Sequence, residues 1–130
     1  MSLLENVLQD FLENDTDHPD TVDVPADHSA EAAELFFKKS KDAEGQAVAL
    51  VCSAELALRQ VTGNDEEELP EDVRDALYAA GNFAAEVASQ FEYAAIIWTE
   101  LADNRAVEAD TLARLWRAVC RAHIYTAEGT

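Results

Sequence analysis

The chain is poor in nearly everything that makes tight turns, crosslinks or positive charge. Its 130 residues include only three prolines and four glycines. That is too few for a fold of many strands and turns, so long helices are expected. There are two cysteines, Cys52 and Cys120, which excludes the disulfide framework of a small secreted domain. Both sit in apolar, helix-patterned stretches and read as free buried thiols, with one bridge between two helices as the alternative. No apolar run approaches the roughly 18 residues of a membrane span. The first residues carry acids where a signal peptide needs positive charge. The expectation is a cytoplasmic protein with no membrane partner.

Cations are the scarcest class. Nine Lys and Arg stand against 27 Asp and Glu, for a formal charge of −18, and the only lysines are Lys38, Lys39 and Lys41. Such a surface repels itself in dilute buffer and is screened by molar salt. It fits the salt-loaded cytoplasm of a halophilic microbe, archaeal by expectation. It also argues against nucleic acid as a partner. Mimicry of a phosphate backbone is the third functional reading.

What the chain does have is hydrophobic pattern. Hydrophobic residues make up 48 % of it, enough for a core at this length without metal or disulfide. Residues 1–14 read as a short amphipathic helix, with Ser2 and Glu5 in capping-box spacing and Leu4, Val7, Leu8 and Phe11 on one face. Residues 15–28 read as an acidic linker; Asp15 and Asp17 open like a calcium loop, without the glycine and glutamate such a loop needs. Residues 29–127 read as the bundle core of a single helical domain covering 1–130. Ser29 is the N-cap of a helix from Ala30 to about Thr62, with Gly45 as a candidate kink and Gly63 as its stop. Its expected inner face is Phe36, Ala43, Ala47, Leu50, Ala54, Ala57 and Val61.

A third helix is expected from Glu71 to Ala102. Val73, Leu77, Ala80, Ala84, Val87, Phe91, Ala94, Trp98 and Leu101 alternate by three and four, a seam suited to antiparallel packing near 20°. A fourth spans about Val107 to Tyr125, with Leu112, Leu115, Trp116, Val119 and Cys120 inward. The fold expected is all-α: an up-down bundle of three longer helices with a short docked N-terminal helix.

Two features stand out as functional candidates. Arg114, Arg117 and Arg121 share one face of the last helix, a positive row suited to an anion or an acidic partner surface. The structural alternative is salt bridging, beginning with Asp110 to Arg114 at i,i+4. Phe36 and Phe37 are adjacent, cannot share a narrow helical face, and mark either a contact patch or a wide buried face. Lys38 has helical spacing for a pair with Glu34. Together Arg114, Arg117, Arg121, Phe36 and Phe37 form the candidate interaction face.

No cofactor or metal site is expected. Cys120 and His123 have ligand-like spacing and Cys52 could join them, but a structural zinc site needs four ligands. Di-iron bundles need Glu-x-x-His pairs, which are absent from the sequence. The pairs Glu31/Glu34 and Asp72/Asp75 arise readily in so acidic a chain.

The segment from Arg117 to Tyr125, with His123 six residues after Arg117, resembles the Arg-x(4–6)-His motif of HEPN domains. That resemblance implies a helical-bundle ribonuclease or an inactive relative, with His123 as acid or base and Arg117 holding phosphate. Six residues on a regular helix set two side chains about 120° apart, so a working pair needs a partner subunit or a helix break. The leading expectation is a small non-enzymatic interaction or regulatory protein that forms a homo-oligomer, a homodimer first, or binds another helical protein.

Overall fold

The computed structural model describes residues 3–13, 27–61 and 69–129. Ser2, Asp15, Asp17, His18, Gly63 and most of the expected linker lie outside them. Four helices carry the fold: α1 (Leu3–Glu13), α2 (Ala30–Arg59), α3 (Glu71–Glu100) and α4 (Arg105–Glu128). Among the described residues there is no strand. Three long helices pack together, α3 against both α2 and α4, and α1 docks on α4. The all-α bundle with a docked N-terminal helix is thus the observed architecture.

Local chemistry sets the ends. The Ser29 hydroxyl accepts from the Ala32 N–H at 3.1 Å, capping α2. Pro70 sits at the N-cap of α3, and its carbonyl accepts from the Val73 and Arg74 amides. The helix ends at Glu100, two residues before the expected Ala102. There Ala102 takes φ 55°, and the amides of Ala102 and Asp103 bond back to the Thr99 and Trp98 carbonyls. This is a Schellman closure with alanine where glycine is preferred. The Asp103 carboxylate accepts from the Arg105 N–H at 2.9 Å, which starts α4 two residues before the expected Val107. α4 runs three residues beyond the expected Tyr125 and stops at Gly129, whose φ of 79° suits glycine. α2 is unbroken through Gly45.

The chain runs up and down. Phe36 of α2 meets Tyr93 of α3, and the Ser40 hydroxyl donates to the Val87 carbonyl at 3.1 Å. The start of α2 therefore lies against the end of α3.

Burial follows heptads. On α3, the columns Val73/Ala80/Val87/Ala94, Leu77/Ala84/Phe91/Trp98 and Gly81/Ala88/Ala95 are all buried. Only the first two were expected; the third faces α4, because α3 is covered on two sides. Leu101, the last residue of the expected seam, is exposed beyond the helix end. α2 buries a single column, Ala33, Ser40, Ala47 and Ala54. Phe36, Ala43, Leu50, Ala57 and Val61, expected inside, are only half-buried. Small residues at every seventh position let α2 lie close to α3, so the larger side chains splay to its flanks. On α4, Leu112, Leu115 and Cys120 are likewise half-buried, while Ala109, Ala113, Ala118, Ala122 and His123 carry the packing beside Trp116 and Val119.

Candidate functional site

The arginine row lies where α1, α3 and α4 meet. Arg114 reaches Asp110 at 3.3 Å, one turn back on α4, and its guanidinium sits 5.2 Å from the centre of the Phe11 ring of α1. Arg117 donates to Glu92 of α3 at 2.9 Å. Arg121 grips the Asp10 carboxylate of α1 through Nε and a terminal nitrogen, at 2.8–3.0 Å. Each arginine therefore has an intramolecular acid, and the row is half-buried, with α1 packed beside Arg114 and Arg121. The sequence could show Asp110 as a partner, but Asp10 and Glu92 come from distant segments. Glu92 is the buried acid of the core, and without Arg117 its charge would be costly to bury.

Phe36 and Phe37 both pack onto α3. Phe36 stacks edge-on to Tyr93 at 5.3 Å, and Phe37 lies 5.4 Å from both Phe91 and Trp98. The adjacent pair reflects a wide half-buried face.

His123 is fully buried. Its Nδ1 lies 2.8 Å from the Val119 carbonyl, and its Nε2 has no partner among the described residues. Burial holds its pKa below the usual histidine value, opposed by the Val119 hydrogen bond. Arg117 is tied to Glu92, and His123 is sealed from solvent.

Of the two thiols expected to be free and buried, both are free, but Cys52 is exposed and Cys120 half-buried. Cys52 sits on a side of α2 turned away from its Ala47/Ala54 column. Burial pushes the Cys120 thiol pKa up, away from a reactive thiolate. No group of three metal-ligating side chains is found among the described residues. No described helix is long and apolar enough to cross a membrane.

The expected Glu34–Lys38 pair is not formed. Glu34 instead accepts from Arg105 at 3.1 Å, and Arg105 also clasps Asp103 at 2.8 Å. The Asp103 and Glu34 hydrogen bonds raise the Arg105 pKa still further, while Arg105 lowers that of Asp103. Among the described residues, Lys38 and Lys39 have no ion pair, whereas Lys41 meets Glu44 at 3.2 Å. Glu44 also accepts from the Trp116 indole at 2.9 Å, tying α2 to α4.

Sequence reasoning missed two surfaces. On α2, Val48 and Leu56 are 49 % and 59 % exposed, with Ala49 and Cys52 exposed between them. Gly45, one turn earlier, has no packing neighbour within 4 Å of where a Cβ would stand among the described residues. These residues step by three and four, a helical signal the sequence did contain. The other surface is a cavity of about 370 Å³ between the start of α2, the end of α3 and the start of α4. Comparison with protein-family models, with curated proteins and with solved structures finds no match to this chain.

Proposed function

We propose that this chain is a small non-enzymatic interaction protein of a halophilic, archaeal cytoplasm, which pairs with a second copy or another helical protein through the outer side of α2. The observation that carries this reading is the exposed apolar strip of Val48, Cys52 and Leu56 on a helix that buries only small residues inward. Gly45 adds support. A helix-interior glycine is about 1 kcal/mol poorer than alanine, and no packing among the described residues calls for one there. A partner helix approaching closely would. The −18 charge favours a protein surface over nucleic acid and gives the pairing its need for screening salt.

Placing a charge on the strip is the test. In molar potassium chloride, Leu56→Glu should abolish self-association or partner capture while leaving helicity intact. Unchanged mass together with unchanged capture would sink the reading.

A further inference from the structure

We propose that α2 pairs with the α2 of a second copy of this chain, antiparallel and crossing at Gly45. The inference rests on the helix pairing proposed above and names its partner and its register.

Ala33, Ser40, Ala47 and Ala54 form the inward column of α2. Two residues along a helix turn about 200° around it, so the column directly opposite is Glu31, Lys38, Gly45, Cys52 and Arg59. Every one of these is exposed, and Gly45 is the midpoint. Beside them run Leu35, Asp42, Ala49 and Leu56, also all exposed. Leu35 and Leu56 are 53 % and 59 % exposed and stand almost equally far before and after Gly45.

A two-fold interface needs a face that complements itself when reversed, because residue i meets j and j meets i. This face does so about Gly45. Reversal sets Leu35 against Leu56 of the second copy, and Glu31 against Arg59 of the second copy, each contact made twice. Arg59 leans on Glu55 at 3.5 Å and keeps 73 % of its side chain in solvent, so it can reach a second acid. Gly45 meets itself at the crossing, and without a Cβ it lets two backbones close in. No packing neighbour among the described residues occupies that space. A parallel pair would instead set Glu31 on Glu31 and Lys38 on Lys38, with the helix dipoles aligned. On the other flank the reversal brings Glu34 towards Glu55, but each already has an arginine of its own chain, Arg105 and Arg59. Molar salt screens what repulsion is left.

The test uses the full chain in molar potassium chloride. Light scattering reads the molar mass, and a short bismaleimide reads the register. The wild type should be a dimer. Gly45→Leu should weaken it at least about tenfold and keep the helicity of the single chain, where the position is open. A Lys38→Cys/Cys52→Ser chain mixed with wild type should become linked from position 38 to Cys52, as read by mass spectrometry of the joined peptides. Wild type alone should give no Cys52-to-Cys52 link, because each thiol lies two helical turns from the crossing and the pair stand roughly 20 Å apart. A monomeric wild type, a dimer indifferent to Gly45→Leu, or a Cys52-to-Cys52 link overturns the proposal. The broader reading fails separately, only where Leu56→Glu alters neither mass nor partner capture. A monomer that loses a captured helical protein on Leu56→Glu would keep the strip and overturn the second copy as its occupant.

Discussion

α2 and α3 have the same length, 30 residues each, and opposite relations to solvent. α3 buries three neighbouring columns, including Leu77, Phe91 and Trp98, and Ile97 besides. α2 buries one column of three alanines and a serine and leaves Leu35, Val48 and Leu56 outside. A helix covered on two sides is the spine of a bundle. A helix that turns small residues inward and large ones outward has room for a second partner. Stability and association should therefore separate cleanly between the two.

The largest effect should come from emptying the spine. Phe91→Ala is expected to cost roughly 3–5 kcal/mol, whereas Leu56→Ala should stay within about 0.5 kcal/mol, both read by denaturant unfolding. Equal losses would erase the distinction. Next comes the contact column of α2. Ala47 is fully buried, so Ala47→Leu should force the helices apart at about 1–3 kcal/mol, while Val48→Leu beside it should be neutral.

Smaller still is the tether of α1. Arg121→Met removes the fork on Asp10, and both groups keep some solvent contact, so the loss should be about 1 kcal/mol. Hydrogen exchange should quicken across α1 and remain slow in α3. The glycines give opposite signs. Gly45→Ala, with open space around it, should raise stability by about 0.5–1 kcal/mol. Gly81→Ala should lower it, because its Cβ would come within 2.8–2.9 Å of Ile124 of α4.

His123 contributes a pH dependence confined to the core. Its folded pKa lies below the unfolded value of 6.5, so the unfolded chain binds the extra proton first. This share of stability is complete above about pH 6.5 and declines as pH falls toward the folded pKa. His123→Leu should lack that component, seen as a flatter stability profile just below pH 6.5 than the wild type shows.

How much of this was legible in the residues follows from side-chain size. The α3 seam from Val73 to Trp98 could be read because large apolar residues punctuate it at three and four. Of the α2 column, Ala47 and Ala54 were expected inside but Ala33 and Ser40 were not, since small residues give little hydropathy contrast and Phe36 and Leu50 drew the expected face to one flank. The arginine row was visible as a row, and Asp110 as one partner, but Asp10 and Glu92 reach it only through tertiary packing. Glu34 pairs with Arg105 and not with the expected Lys38, a choice between a distant and a local cation that spacing does not decide.

The most direct measurement compares molar mass by light scattering, in molar potassium chloride, for the wild type and a Val48→Glu/Leu56→Glu variant, alongside their thermal melts and their capture of partners. The expected result is a wild type that assembles or holds a helical partner, and a variant that melts at the same temperature as a lone 14.3 kDa chain. Identical mass and identical partners in the two, or a variant that unfolds, would contradict the assignment of stability to α3 and association to α2.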